Sequence, residues 1–274
     1  MENKDNKTIK SFEDEWKKYD QLSLSNKELK DLFNKYFDIF PWHLINSKSE
    51  GVDFGSGSGR WAYFIAKKVG VLNCIEPSAA IEVSKKKLKK FNNIRYIKSS
   101  LDASNLKKSS QDFGFSLGVL HHIPNTQQAI KSCSNLLKPG APFLLYLYYS
   151  FDNRPIWYKA IWQFTNLLRM IISIFPSFLK NLITNLIAFL VYLPLAKLCN
   201  IIELIGFSSK NIPLSFYKNS SFYTMRTDSR DRFGTPLEKR FSKKEIQTMM
   251  EDAGFKNIKF SKEAPYWCAV GIKI

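Results

Sequence analysis

Short apolar runs alternate with amphipathic stretches between residues 51 and 149. Five runs predict strands: GVDFG from 51, VLNCIEP from 71, IRYIKSS from 94, DFGFSLGVL from 112 and PFLLYLYY from 142. Apolar residues at three-and-four spacing between them predict helices over 59–68, 78–90 and 126–137. Strands and helices that alternate through short connections form a parallel sheet covered on both faces. The pattern therefore predicts a doubly wound α/β core over 46–150.

The segments on either side of this core also show helical patterns. Residues 11–45 carry apolar residues at helical spacing until Pro41, which predicts an N-terminal helical cap over 1–45. Near the other end, Ser242 and Glu245 have the spacing of a capping box, so a helix is expected at 242–253. Strands predicted at 255–262 and 266–273 follow it. Residues 241–274 are therefore expected to complete the core sheet.

Residues 154–206 interrupt the alternation with a long helical stretch rich in Ile, Leu, Phe and Trp. Its longest uncharged run, 181–196, holds two Asn, one Thr and one Pro. A bilayer span needs about 20 apolar residues, so a true span is the least favoured interpretation. A helical insertion that covers the active site and a monotopic, lipid-facing surface are the alternatives. Residues 207–240 read as loop-rich, and the whole segment 151–240 is interpreted as an insertion and substrate lid.

Composition limits the class of protein. A chain of 274 residues with 45% hydrophobic residues can bury a sizeable core. The charged N-terminus has no apolar stretch behind a basic start, which favours a cytoplasmic location. The four cysteines lie far apart, so buried side chains are expected rather than a zinc site or disulfides; they are Cys74, Cys133, Cys199 and Cys268. No metal is expected.

The formal charge of +17 allows two interpretations. Clusters such as KKKLKK at 85–90 could contact phosphates, but no aromatic stacking motif or recognition-helix pattern accompanies them. Nucleic acid is therefore disfavoured as a partner. A solvated helix face, or attraction to an anionic membrane or substrate, is preferred.

The sequence VDFGSGSGRW at 52–61 is a strand that ends in three glycines and opens a helix. Glycines at this point let a ligand approach the backbone and the helix N–H groups. The dinucleotide fingerprint GxGxxG is not met, because Arg60 occupies its last position, and this counts against a nicotinamide oxidoreductase. Asp53, just before the loop, suits a ligand with an ammonium group better than a pyrophosphate.

Acidic residues also follow the next two strands. Glu76 stands about twenty residues beyond the loop, where a carboxylate can accept hydrogen bonds from ribose hydroxyls. Asp102 can accept from an adenine amino group, while Leu101 or Ala103 can line the ring. The fourth strand leads into LGVLHHIP.

Together these segments resemble the class I S-adenosylmethionine-dependent methyltransferases, in particular the small-molecule "DxGxGxG … LHH" branch of type 11. The resemblance implies a Rossmann-like, mostly parallel seven-stranded sheet and S-adenosylmethionine as cofactor. It places Asp53 and the glycines around the methionine moiety, Glu76 at the ribose and Asp102 at the adenine. Gly118, Val119 or Leu120 is expected under the cofactor. The expected cofactor-binding residues are Asp53, Gly55, Ser56, Gly57, Gly59, Glu76, Pro77, Leu101, Asp102, Ala103, Gly118 and Val119.

Methyl transfer from a sulfonium is an in-line displacement that depends mainly on alignment and on exclusion of water. We expect an O, N or S atom of a small or lipid-linked molecule as acceptor. His121 or His122 could remove a proton from it, and Tyr148 or Tyr149 could orient it, so His121, His122 and Tyr149 are the catalytic candidates. The segment 221–241 offers further substrate contacts, which mutual salt bridges explain equally well: Tyr223, Arg226, Asp228, Arg230, Asp231 and Arg232.

Several alternatives stay open at this point. The chain also resembles a group of bacterial methyltransferases whose acceptors the sequence does not give. A non-catalytic, cofactor-binding assembly subunit that acts through the apolar 154–206 surface is the main competing function. RNA methylation is disfavoured, because the KKKLKK helix should lie at the outer part of the sheet. The location is expected to be cytoplasmic, with peripheral contact at the inner membrane as an option, and the oligomeric state is open.

Overall fold

A computed structural model describes residues 3–21 and 24–274. The chain divides into two compact units. The first comprises the described residues of Met1–Leu22, Leu29–Tyr149 and Leu237–Ile274, and the second those of Ser23–Glu28 and Ser150–Pro236.

The described residues contain seven strands and ten α-helices, besides short 3-10 and π-helical turns. The strands are β1 Glu50–Phe54, β2 Val71–Ile75, β3 Ile94–Ile97, β4 Phe113–Leu117, β5 Pro142–Tyr146, β6 Phe255–Phe260 and β7 Cys268–Lys273. The helices are α1 Asn6–Lys18, α2 Asn26–Tyr36, α3 Ala62–Ile65, α4 Ala80–Lys87, α5 Thr126–Leu136, α6 Ile156–Ile172, α7 Ser177–Ile187, α8 Leu193–Leu204, α9 Phe222–Gly234 and α10 Lys243–Asp252.

All seven strands form one sheet in the first unit, in the order β3-β2-β1-β4-β5-β7-β6. The strands β1 to β5 pair in parallel, while β7 runs antiparallel to both β5 and β6. The predicted doubly wound, mostly parallel seven-stranded sheet is confirmed. Chain order reverses between β1 and β4, and in open α/β sheets ligands bind outside the carboxyl ends of the strands at such a point.

Aromatic packing fixes the middle of this sheet. The rings of Phe54 on β1 and Phe143 on β5 meet edge to face, 6.0 Å apart, and Phe143 stacks on Phe255 at 5.2 Å. All three side chains are buried, and burial of a phenylalanine stabilises a fold by about 1.5–3 kcal/mol. The four cysteines are buried and free of disulfides. This aromatic packing links β1, β5 and β6 within the core.

Two helix predictions were wrong in extent. Residues 11–45 are not one helical region: α1 ends at Lys18, Gln21 has a left-handed backbone with φ 58°, and α2 begins at Asn26. A left-handed residue cannot continue a right-handed helix, which explains the interruption. The helix predicted at 59–68 is reduced to α3, Ala62–Ile65, because the glycine loop and a turn occupy the first residues.

The predicted loop at 207–240 contains α9, a helix of 13 residues. Ser221 caps this helix by accepting a hydrogen bond from the Thr224 N–H. The helix lacks an apolar stripe, because its buried residues mix the apolar Met225 and Phe233 with the polar Thr227, Ser229 and Arg230. Apolar periodicity therefore could not reveal it.

The helices α7 and α8 are joined by a π-helical turn at Ala188–Tyr192. Together they give a continuous helix, Ser177–Leu204, of 28 residues, with a mean hydropathy of 1.9 over its most apolar window. Among the described residues this is the one helix long and apolar enough to cross a membrane. Pro194 comes directly after the π-helical turn, where the regular hydrogen-bond pattern of the helix is already interrupted.

Candidate functional site

The glycine loop after β1 is pressed against its neighbours. Gly55 has a left-handed backbone with φ +83°, and a Cβ atom there would lie 2.5 Å from the Val119 side chain. The N–H groups of Gly55 and Ser56 both donate to the Ile75 carbonyl, at 2.9 and 3.0 Å. The loop is thereby tied to the end of β2 and packed on the segment after β4. Only glycine fits at position 55.

The carboxylate of Glu76 lies directly against this loop. Its Oε2 accepts from the Gly57 N–H at 2.9 Å, and its Oε1 accepts from the Ser78 N–H at 3.0 Å and from Ser78 Oγ at 2.5 Å. These bonds orient a buried carboxylate, and the two oxygens of a carboxylate can accept about four hydrogen bonds in total. Glu76 therefore retains capacity for a hydroxyl group of a ligand.

Asp53 is the most strongly perturbed acid of the site. Its side chain is 1% exposed, and no group in the described residues donates a hydrogen bond to its Oδ2. Burial, with a further contribution from the negative charge of Glu76, raises the pKa of Asp53 well above its usual value, and Arg60 opposes this only partly. A buried carboxylate oxygen without a partner is costly. A cationic group of a ligand would satisfy it.

Open space lies beside Gly118, which follows β4. Its φ is +79°, and a Cβ atom built on it would meet none of the described atoms within 4 Å. The neighbouring Val119 contacts the glycine loop at Gly55. The open space and the glycine loop are thus next to each other at the point where the strand order reverses.

The predicted adenine segment forms a 3-10 turn, Leu101–Ala103, after β3. Leu101 is buried in the core, whereas Asp102 and Ala103 are exposed. Asp102 Oδ2 accepts from the Asn3 N–H at 3.1 Å. The limited burial of Asp102 would by itself raise its pKa, but hydrogen bonds from Asn3 and Ser100, with the charge of Lys4, lower the pKa below its usual value. Asp102 is therefore an ionised acceptor at the same sheet edge.

The helix α1 contributes residues that the sequence interpretation missed. Glu13 Oε1 accepts from the Ala79 N–H at 2.8 Å, just after the half-buried Pro77. The Trp16 ring lies 3.4 Å from where a Cβ atom of Gly57 would be. The Glu13 and Ala79 contact joins positions 66 residues apart, and that of Trp16 with Gly57 also joins distant segments. No local motif could have indicated them.

The two histidines occupy a buried 3-10 turn, Leu120–His122. The His121 ring stacks on Tyr148, with centroids 3.9 Å apart, and its Nδ1 accepts from the Tyr148 N–H at 3.4 Å. Burial, followed by the charges of His122 and Arg240, lowers the pKa of His121 well below its usual value. His122 Nδ1 lies 2.6 Å from the Leu237 carbonyl, to which it donates. His121 is therefore neutral at physiological pH.

Tyr149 lies beyond the carboxyl end of β5. Its carbonyl accepts from Arg240 at 3.3 Å, and its backbone pairs with Phe241. Arg240 forms a salt bridge of 2.8 Å with Glu238, and both side chains are shielded from solvent. The fold thus fixes the backbone of Tyr149 at the sheet edge where an acceptor is expected.

The structure brings together Asp53, the glycine loop, Glu76 and Val119, with Gly118 beside them. The contacts described for Asp102 are with Asn3, and those for His121 with Tyr148. Candidates from 221–241 make contacts within the second unit. Arg226 donates to Asn185, Arg230 donates to Asn181, and Asp228 accepts from Tyr192. All predicted roles of individual site residues stay predictions.

The methyltransferase domain family matches residues 52–145, the stretch that contains the glycine loop, Glu76, Asp102 and Gly118. Residues 52–145 are a class I S-adenosylmethionine-dependent methyltransferase domain. This match assigns methyl transfer to the domain, with S-adenosylmethionine as its cofactor.

Solved structures agree on the fold of this methyltransferase. A Thermotoga maritima S-adenosylmethionine-dependent methyltransferase, described as a possible histamine N-methyltransferase, superposes with a TM-score of 0.54 at 15% identity, over 97% of this chain and 99% of its own. A Bacillus halodurans protein described as a methyltransferase gives 0.51 at 11% identity, over 86% and 73%. At identities this low, the similarity shows the fold and does not indicate which acceptor this chain methylates. No curated protein matches the sequence.

The residues present fit this cofactor. The unpartnered Oδ2 of Asp53 suits the ammonium group of the methionine moiety, and the remaining capacity of Glu76 suits ribose hydroxyls. The space beside Gly118 gives a flat group room against the backbone. Asp53, Gly57, Glu76, Asp102 and Gly118 are the residues we expect to hold it.

Proposed function

We propose that this methyltransferase transfers the methyl group to an O, N or S atom of a small or lipid-linked acceptor by in-line displacement. S-adenosylmethionine, when bound, supplies an activated methyl group. The observation that supports cofactor binding best is the buried Asp53 carboxylate, which has a raised pKa and an oxygen without a partner beside the glycine loop. A cation at this position relieves the cost of burying the charge.

The residues after β4 and β5 favour alignment over strong base catalysis. His121 has a strongly lowered pKa, so it accepts a proton only weakly, and His122 Nδ1 is engaged by the Leu237 carbonyl. Proton removal by a poorly basic imidazole contributes little. The proposal therefore favours an acceptor atom that is already nucleophilic when it binds. Tyr149 would orient such an acceptor.

A panel of acceptors tests this proposal. Purified protein is incubated with methyl-labelled S-adenosylmethionine and with thiols, amines and phenols, each in a water-soluble and a lipid-linked form. We expect labelled product and S-adenosylhomocysteine with at least one acceptor, and a loss of at least tenfold in Asp53→Ala. The exposed Glu82→Gln on α4 is the control and should retain the rate.

An enzyme that binds the cofactor but gives no labelled product with any of these acceptor classes would contradict the proposed acceptor chemistry. Product formed equally well by Asp53→Ala would contradict the role assigned to that carboxylate. The two outcomes are separable, because cofactor binding is measured independently of turnover.

A further inference from the structure

The long helix formed by α7, the π-helical turn and α8 has small and polar residues on its buried side. These are Thr184, Ala188, Tyr192, Ala196 and Cys199, at intervals of three or four residues. Its large apolar side chains are exposed instead: Phe178, Leu182, Leu186, Phe189, Leu190, Val191, Leu198, Ile201 and Leu204. Ile183, Ile187 and Leu193 also lie partly buried on this inner side, against an apolar cluster. The helix therefore carries large apolar residues on both sides, whereas the exposed side of a helix in a water-soluble domain is normally polar.

Polar contacts with α9 accompany the apolar packing of Met225 and Phe233 on the inward side. Asn181 Oδ1 accepts from Arg230 Nε at 3.1 Å, and Asn185 Oδ1 accepts from Arg226 Nε at 2.9 Å. The Tyr192 hydroxyl donates to Asp228 at 2.8 Å. The Arg230 side chain is fully buried. The charged helix α9 is thus the inner partner of α7, and the apolar side of α7 faces outwards.

The helix α6 repeats this arrangement. Its Arg169 is buried and donates through one guanidinium nitrogen to the carbonyls of Thr235 and Pro236, at 2.9 and 2.7 Å. Its exposed side carries Ile156, Trp157, Ile161, Phe164, Leu167, Leu168, Met170 and Ile171. Both helices bury a cation, or amides that bind one, and expose large apolar residues. A surface that faces only water does not explain this exposure.

The charge of the segment that contains these helices indicates what kind of partner their exposed sides bind. Residues 153–202 contain five basic residues and no acidic residue. Two of the basic residues, Lys159 and Lys197, have exposed side chains. Apolar helix faces combined with basic side chains complement a membrane surface with anionic headgroups. The net charge of +17 acts in the same direction.

We propose that the outer face, defined as the exposed apolar side chains of α6, α7 and α8, binds an anionic lipid bilayer and lies in its interface. An interfacial position is favoured over a span because the charged helix α9 packs along α7 and must stay outside the hydrocarbon. Lipid binding is independent of methyl transfer. Its consequence, that lipid-linked acceptors are preferred, rests on the proposed function.

Vesicle flotation tests this binding on the full chain without detergent. We expect the protein to float with vesicles of phosphatidylcholine and phosphatidylglycerol in equal amounts at low salt, and to float poorly with phosphatidylcholine alone. Lys159→Gln and Lys197→Gln should each lower the partition coefficient about fivefold. Phe164→Glu, Phe178→Glu and Leu190→Glu place a charge at exposed positions of the outer face, and each should reduce flotation at least tenfold.

Leu44→Glu is the matched control, because Leu44 is also an exposed apolar side chain but belongs to the first unit. It should float like the unchanged protein. S-adenosylhomocysteine binding, measured on every variant, shows that the fold is kept and that the methyltransferase assignment stands whatever the vesicles show. Folded protein that stays unbound at low salt would overturn the proposal. A stoichiometric dimer that the Glu variants convert to monomers, without vesicle binding, would also overturn it and assign the face to a second copy.

Discussion

The N–H of Gly57 donates to Oε2 of Glu76 across 2.9 Å and joins the glycine loop after β1 to the end of β2. The same carboxylate accepts two bonds from Ser78. One acid therefore both shapes the loop and keeps capacity for a ligand.

Replacing this acid by its amide should impair both roles. In Glu76→Gln one carboxylate oxygen becomes an NH2 group, which cannot accept from Gly57 or from Ser78. Loss of a hydrogen bond to a charged group costs about 1.5–3 kcal/mol. We expect S-adenosylhomocysteine affinity to fall about tenfold or more and the melting temperature to drop. Glu82→Gln is the control on exposed α4, and an equal loss there would argue against a specific role for Glu76.

Asp53 should destabilise the ligand-free protein, although it favours ligand binding. A carboxyl group whose pKa is raised on folding favours the folded state while it is protonated. This contribution is lost as pH rises from the unfolded pKa of about 4 through the folded pKa. Asp53→Asn should therefore become more stable than the unchanged protein as pH rises through this window, in chemical denaturation measured at several pH values.

The same carboxylate predicts a pH dependence of binding. A ligand cation favours ionised Asp53, so binding releases a proton and affinity should increase with pH below the raised pKa. Asp53→Asn should bind S-adenosylhomocysteine about 10–100-fold more weakly and should lose this pH dependence. Calorimetry in buffers of different ionisation enthalpy measures the released proton. If the affinity of the variant still depends on pH in the same way, a group other than Asp53 causes this dependence.

Ala variants of two glycines separate the effect of filling ligand space from the effect of backbone strain. Gly118 and Gly140 have φ +79° and +84°, and at neither would an added Cβ atom meet a described atom within 4 Å. Both Ala variants should lose roughly 1 kcal/mol through left-handed strain. Gly140 precedes β5, at the opposite sheet edge from Gly118. Gly118→Ala alone should weaken S-adenosylhomocysteine binding, and equal affinities would place the cofactor elsewhere.

A polar inward residue and an apolar exposed residue of α7 should differ in their effect on stability. Asn181→Ala removes an acceptor from the buried Arg230 and should cost about 1.5–3 kcal/mol in urea unfolding. Leu182→Ala, one position away and exposed, should change stability by less than about 0.5 kcal/mol. A larger loss in Leu182→Ala would contradict the assignment of the buried and exposed sides of α7.

Local motifs made the core predictable from the sequence. The strand pattern indicated the sheet, and the glycine spacing with Asp53 and Glu76 indicated the cofactor, because both signals lie within short windows. The contacts of Glu13 and Trp16 join distant segments and leave no local signal. The helix α9 was missed for a physical reason: its buried residues mix apolar Met225 and Phe233 with Arg230, which bonds an amide on α7, so no continuous apolar stripe marks it.

The most direct test of the account is calorimetric titration of the purified protein with S-adenosylhomocysteine, with NAD as control ligand and with Asp53→Ala, Glu76→Ala and Asp102→Ala in parallel. We predict micromolar binding, on the order expected for a cofactor site, that is weakened in all three variants and absent for NAD. Undetectable binding to a folded protein, or binding that the three variants leave unchanged, would contradict the cofactor site described for this methyltransferase.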